Sequence, residues 1–348
     1  MKQRSYRKRQ VYAMNNRRYK KPLPGRKYKR RRRKRIRLFL SATAVTLILL
    51  CVFLSAKILS PLMLEKGNAA ESPYGSSASP LTVDLKNLYS PSAVLVDLDT
   101  GKTIAGNNSD DTIYPASLTK IMTAILAVEK TENLDEIITL PYDFFQNLYA
   151  EEASMAGFEP GEAVCLRDLL YGILLPSGAE CCLAFADKIA GSEEDFVKLM
   201  NKKAEALGME HTQFCNSTGL HDDEHYSTVE DLALLLKYAL GNDDFREAFT
   251  ASRHSTRPSA QHPGGFTFYS TMFENMSSAK VTGGEILGGK TGYTKEAGLC
   301  LASLADVNGK EYILVTAKAD GNHDTEQFHI LDAVNVYNQI GASAQNSQ

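Results

Sequence analysis

Apolar positions along the chain change their period several times, and each change predicts an element. Residues 92–98 (SAVLVDL) form a short apolar, valine-rich run typical of a strand, and Asp99-Thr100-Gly101 reads as a turn into a second strand. Across residues 117–130 the spacing becomes helical, with Ile121, Ala124, Ile125 and Val128 on one face. Residues 166–175 and 179–189 predict two helices broken around Pro176. Ser192, with Asp195 three residues on, caps a helix through Leu207, and Thr228 with Asp231 starts another in the same way. Residues 299–305 and 311–317 predict two strands joined by Asn308-Gly309, a strong hairpin signal. An amphipathic helix over about residues 325–340 closes the pattern. Strands at both ends and helices between them predict an α+β domain, its antiparallel sheet built from both ends around a helical cluster. The sequence contains no internal repeat and no Gly-rich phosphate loop.

Ahead of this domain the pattern differs. Residues 38–56 are an uncharged run of 19 residues, long enough as a helix to cross the hydrocarbon core of a bilayer. Residues 1–37 carry 19 of the 39 Lys and Arg and no Asp or Glu. By the positive-inside rule the tail is cytoplasmic and the remainder lies outside the cell membrane on a single-pass anchor. A cleavable signal peptide, cut near Ala69 and Ala70, is the competing reading; the long charged region and long apolar run favour an uncleaved span. The expected organisation is a basic cytoplasmic tail at 1–37, a transmembrane helix at 38–57, a Pro/Ser/Gly-rich flexible linker at 58–84, the folded domain at 85–340 and a polar tail at 341–348.

Beyond the tail, 20 basic residues face 41 acidic ones, so the body is a poor partner for nucleic acid. Of six cysteines, Cys51 lies in the apolar run and the other five follow no disulfide spacing. Adjacent Cys181 and Cys182 read as core residues on a helix.

Three short motifs carry chemistry. Ser117-Leu118-Thr119-Lys120 opens a predicted helix, where positions three apart share a face and the hydroxyl and amine can touch. Serine needs a base, and lysine serves once desolvation or a neighbouring cation makes it neutral. Ser5…Lys8 and Ser277…Lys280 match the same spacing by chance. Lys290-Thr291-Gly292 occurs once, in a glycine-rich stretch shortly before a predicted strand, and offers a cation and a hydroxyl beside a residue with no side chain. Ser177-Gly178-Ala179 follows an apolar helix.

In this order the three motifs resemble the signature of the active-site-serine penicillin-binding enzymes. Residues 92–340 resemble the serine-type D-alanyl-D-alanine carboxypeptidases, the low-molecular-mass penicillin-binding proteins. The resemblance extends to Tyr114-Pro115-Ala116 before Ser117, to Asp168-Leu169-Leu170-Tyr171-Gly172 before Ser177, to Asn216-x-x-Gly219-Leu220 and to His225-Tyr226-Ser227-Thr228. It implies a β-lactamase/transpeptidase-like fold and a two-step acyl transfer on peptidoglycan stem peptides, with β-lactams as inhibitors and no metal or organic cofactor. It casts Ser117 as nucleophile, Lys120 as general base and Ser177 as proton relay. Lys290, Thr291, Gly292 and Tyr293 bind substrate, and the N–H groups of Ser117 and Tyr293 form an oxyanion hole.

Two positions depart from the family pattern. Ala179 stands where the second motif ends in Asn, a loss of about 0.5–1.5 kcal/mol for one hydrogen bond. No Arg follows the last strand to bind a carboxylate, which leaves Lys318 or His323 as substitutes. Four alternatives stand beside the carboxypeptidase. A β-lactamase needs a deacylating Glu, for which Glu151, Glu152 and Glu162 are candidates. A D,D-endopeptidase uses the same chemistry. A wall-binding module that has lost activity fits Ala179. A zinc peptidase fits the H-x-x-E-H pattern of His221 and His225 only with both on one helical face, whereas the segment lies between Gly219 and the Thr228 cap and reads as a solvated polar loop.

Overall fold

Strand β1 (Ser92–Asp97) pairs in antiparallel register with the last strand, Ser92 opposite Ala317 and Asp97 opposite Tyr312, so the two ends of the domain close one sheet. The computed structural model describes residues 81–345. The expected tail, the expected span and the linker up to residue 80 lie outside the described residues. Among the described residues no helix is long and apolar enough to cross a membrane.

The remaining strands are β2 (Thr103–Asn107), β3 (Ile137–Thr139), β4 (Ala163–Cys165), β5 (Arg253–Ser255), β6 (Thr267–Tyr269), β7 (Lys280–Val281), β8 (Gly284–Thr294), β9 (Gly298–Val307) and β10 (Lys310–Ala319). Six of the ten form an antiparallel sheet in the order β2-β1-β10-β9-β8-β7. The pairs β3-β4 and β5-β6 make two small ribbons that local patterning did not foretell. Asn308 and Gly309 turn β9 into β10 with φ of 55° and 74°, the left-handed pair that a two-residue hairpin demands.

The helices are α1 (Lys120–Lys130), α2 (Asp143–Ala150), α3 (Leu166–Leu174), α4 (Ala179–Ala190), α5 (Glu193–Leu207), α6 (Val229–Ala239), α7 (Asp243–Thr250), α8 (Thr271–Glu274) and α9 (Phe328–Gln345). Ser192 and Thr228 cap α5 and α6 as expected, their hydroxyls accepting from Asp195 N at 3.1 Å and Asp231 N at 3.0 Å. Asn242 caps α7 likewise. The last helix starts at Phe328 rather than near residue 325, because Thr325 and Gln327 fold back onto Asn322 through side-chain hydrogen bonds.

Both faces of the sheet are covered, which is why its strands read as near-continuous apolar runs. Val94, Val96, Ile313, Val315, Ala302 and Leu304 pack into the helical cluster on one side. Ala93, Leu95, Leu314, Leu301 and Val307 pack with Ile330, Ala333, Val336, Tyr337 and Ile340 of α9 on the other. Val83 and Leu85 are already buried beside α9, so ordered packing begins ahead of β1. Helix α1 is buried along Lys120–Val128, as expected for a central helix that is apolar on nearly every side. Its N-terminal end, against β8, places the site.

Candidate active site

The turn that carries Ser117 is a single 3-10 turn, Ala116–Thr119, leading into α1, where one continuous helix was expected. Ala116 holds φ of 47°, an uncommon conformation for a residue with a side chain. Gly219 explains what presses on it. A Cβ at Gly219 would lie 1.9 Å from Ala116 O, and its φ is +80°. Gly292 of β8 approaches from another side, where a Cβ would lie 3.1 Å from Ser117 N and 3.3 Å from Leu118 N. The missing side chain leaves room for a substrate oxygen beside the Ser117 amide.

Lys120, the first residue of α1, is 2% exposed. Its Nζ lies 3.1 Å from Ser117 Oγ and donates to Thr218 O at 2.6 Å. The serine and lysine of the first motif are therefore in contact. Burial pushes the Lys120 amine below its ordinary value, opposed by the nearby Cys182, Glu180, Cys181 and Glu193.

Ser177 sits between α3 and α4 with φ of 69° and accepts from Lys290 Nζ at 2.9 Å. Lys290 is fully buried and also donates to Thr291 O at 2.8 Å. Burial, followed by the charge of Lys120, drives its amine well below the lysine range. Among the described residues no hydrogen bond joins Ser177 directly to Lys120; the second motif meets the third instead. Lys290, Thr291 and Gly292 lie inside β8, opposite Ala302, Leu301 and Cys300 of β9, not ahead of a strand as expected. Thr291 Oγ1 is 2.6 Å from Thr271 Oγ1 at the start of α8.

The cleft over this turn has a volume of about 1090 Å³, and Ser117, Lys120, Ala179, Thr218, Tyr293 and His323 are among its lining residues. Ala179, 1% exposed, puts only a methyl group where the second motif's amide was expected. Of the two substitutes for the missing Arg, His323 reaches the cleft, edge-on to Tyr293 at 4.9 Å between ring centroids. Lys318 instead donates to Thr112 O at 2.9 Å.

Sequence reasoning gave the stretch from Asn216 to Leu220 no role. Its tight turn is built by Asn216 Oδ1, which accepts from Gly219 N at 2.7 Å, Thr218 Oγ1 at 3.1 Å and Thr218 N at 3.2 Å. The turn supplies both the carbonyl that holds Lys120 and the glycine under Ala116. The usable signal was the Asn-x-x-Gly spacing itself, a turn pattern close to the motifs in type though distant in sequence.

The zinc alternative fails on geometry. His221 and His225 lie in a loop, not on a helix. His225 is buried, with Nδ1 accepting from Cys215 N at 3.2 Å and Nε2 at 2.8 Å from Thr119 Oγ1. Burial lowers its pKa to about 4, so the ring is neutral and both nitrogens are engaged. His221 pairs with Asp223 at 3.4 Å. Of the carboxylates considered for deacylation, Glu151 and Glu152 line the cleft. Glu162 does not; it is buried beneath Ser259 and His262. The five cysteines among the described residues are all free, and Cys181 and Cys182 are core residues as expected.

Comparison with known proteins places this geometry. A family model described as D-alanyl-D-alanine carboxypeptidase, peptidase S11, matches residues 78–321. The chain is 36% identical over 233 residues to D-alanyl-D-alanine carboxypeptidase DacF of Bacillus subtilis, covering 64% of this chain and 56% of that one. It is 31% identical over 260 residues to a D-alanyl-D-alanine endopeptidase of Pseudomonas aeruginosa, covering 71% and 76%. The matched part spans 56% of DacF and 42% of DacC of Escherichia coli, so roughly half the length of these curated relatives. The crystal structure of the Streptomyces K15 DD-transpeptidase is similar with a TM-score of 0.66 and 26% identity, covering 75% of this chain and 100% of that one.

Proposed function

The chain belongs to the D-alanyl-D-alanine carboxypeptidase family, peptidase S11, and we propose that it is a serine-type carboxypeptidase that removes the terminal D-alanine from peptidoglycan stem peptides and is acylated by β-lactams. The observation that carries this reading is the contact between Ser117 Oγ and the buried amine of Lys120, 3.1 Å apart and open to a cleft.

A neutral Lys120 has two N–H bonds and one lone pair. One N–H donates to Thr218 O, which aims the lone pair at the Ser117 hydroxyl. Ser117 Oγ then attacks the carbonyl of the penultimate D-alanine as its proton passes to Lys120. The developing oxyanion lies against the N–H groups of Ser117 and Tyr293, at the first turn leading into α1, where negative charge is favoured. The peptide C–N bond breaks, and the departing D-alanine amine takes the proton that Lys120 accepted; a relay at Ser177, which Lys290 holds in place, needs bound substrate or water to bridge it to Lys120. Water attacks the ester with Lys120 again as base, releasing the shortened peptide and free Ser117. Lys290, Thr291 and the backbone at Gly292 are assigned to the substrate carboxylate, and Lys295 and His323 are among the residues that line the cleft.

The test is release of D-alanine from a diacetyl-L-lysyl-D-alanyl-D-alanine peptide, alongside intact-mass analysis after benzylpenicillin. Stoichiometric D-alanine and a slowly lost penicilloyl adduct are expected. Rapid loss of the adduct with antibiotic turnover would show a β-lactamase instead. The similarity to a D,D-endopeptidase over 76% of that protein favours a second substrate within the same chemistry, read out by cleavage of crosslinked muropeptide dimers.

We also propose that residues 38–57 anchor the enzyme in the cell membrane with residues 1–37 in the cytoplasm. The support is the uncharged run and the 19 cations ahead of it. Full-length protein should stay in the membrane pellet after alkaline carbonate extraction, with the C-terminal domain accessible to protease from outside. Recovery in the soluble fraction excludes the anchor.

A further inference from the structure

Lys120 owes its orientation to a carbonyl far away in sequence, and that carbonyl is itself held from a third element. Glu193, the first residue of α5, lines the cleft and accepts from Ser217 N at 2.8 Å and Ser217 Oγ at 2.6 Å through Oε1. Ser217 O in turn accepts from Thr123 Oγ1 of α1 at 2.6 Å, and the next carbonyl, Thr218 O, receives Lys120 Nζ. Ser217 is fully buried and Thr218 is 3% exposed, so the loss of these bonds is costly. We propose that Glu193 is a positioning residue for acylation: its carboxylate fixes the Ser217–Thr218 unit that aims Lys120 at Ser117, and its negative charge faces the Lys120 amine.

The two roles are separable. Glu193→Gln keeps an oxygen able to accept both Ser217 bonds but removes the charge. Glu193→Ala removes both. The groups facing Lys120 are Glu180, Cys181 and Cys182 from α4, Glu193 from α5 and Lys290 from β8. The two thiols are held neutral by burial, and burial also raises the Glu180 carboxyl toward its neutral form. Glu193 is then the facing carboxylate that reaches the cleft. A negative charge stabilises the ammonium form of Lys120, so its removal lowers the pH at which the base becomes available.

This inference rests on the acyl-enzyme reading above, so the experiment measures acylation by benzylpenicillin, by intact mass, across pH 5–10 for wild type, Glu193→Gln and Glu193→Ala. The expected result is a Glu193→Gln plateau within about threefold of wild type with its acid limb moved to lower pH, and a Glu193→Ala plateau reduced about tenfold to a hundredfold, the scale of a small misplacement of a catalytic group. If the Glu193→Gln limb superimposes on wild type, the charge of Glu193 does not act on Lys120 and the two-part proposal is overturned, whether or not Glu193→Ala folds or is slow. An unchanged plateau for folded Glu193→Ala overturns the positioning role as well. A wild type that forms no adduct overturns the acyl-enzyme reading itself, and this inference with it.

Discussion

Ser117→Ala is expected to abolish both D-alanine release and the penicilloyl adduct, with kcat/KM for the peptide reduced by about 10⁴-fold or more. Among the described residues, the hydroxyls of the other motifs and of the Asn216 turn are engaged elsewhere. Ser177 Oγ accepts from Lys290, Thr291 Oγ1 is paired with Thr271 Oγ1, and Thr218 Oγ1 is turned back onto Asn216. Ser117 is the hydroxyl that contacts Lys120 at the end of α1. The substitution removes one atom from a half-buried turn, so the fold should persist, and an unchanged melting temperature separates lost chemistry from lost structure. An adduct of full stoichiometry in the Ser117→Ala protein would falsify the assignment of the nucleophile and send the search to Ser177.

Lys120→Arg is expected to lose about as much as Lys120→Ala, on the order of 10²- to 10⁴-fold in acylation rate, the usual worth of a general base. The reason is chemical rather than steric. A guanidinium keeps its proton at any accessible pH, whereas the Lys120 amine is buried beside the equally buried Lys290 and pushed toward the neutral form. In the wild type, activity should be low at acid pH, where Lys120 is an ammonium. It should rise as pH passes the lowered value of the folded enzyme and then level off. The arginine variant should show no such rise, since it has no base to unmask. Retention of more than about a tenth of wild-type activity by Lys120→Arg, against that expected loss, would place the base elsewhere. Assaying acylation across pH in both variants decides this directly.

The role of Glu193 lay beyond any local pattern, and the Asn216-x-x-Gly219 turn, legible as a turn, showed nothing locally of its hold on Lys120. Nothing in the spacing of Glu193 distinguishes it from Glu194 beside it, yet one carboxylate reaches Ser217 and the other pairs with Lys198 at the surface. Likewise Lys290 precedes a threonine and a glycine in a glycine-rich stretch that strand propensity reads as turn. The structure makes it the middle of an 11-residue strand. Those glycines are there for what packs on them, as the Cβ absent from Gly292 shows beside Ser117 N. The H-x-x-E-H spacing was legible too, and its place between Gly219 and the Thr228 cap marked it as loop, as the structure has it. It repeats a metal-site pattern without the helix that would bring its two imidazoles to one face.

What could be read directly was governed by near neighbours. Serine and threonine caps, the Asn308-Gly309 hairpin, the break at Pro176 and the apolar faces follow from backbone dihedrals and side-chain periodicity over a few residues. The first motif belongs with them in spacing, because Ser117 and Lys120 are three positions apart, although its final geometry also depends on Thr218 O. The closure of β1 on β10, the Lys290–Ser177 bond across 113 residues and the Thr218 carbonyl on Lys120 across 98 depend on packing. A lysine turns from a surface cation into a base only when other segments exclude water from it. That exclusion is a property of the assembled core, and only the tertiary structure decides it.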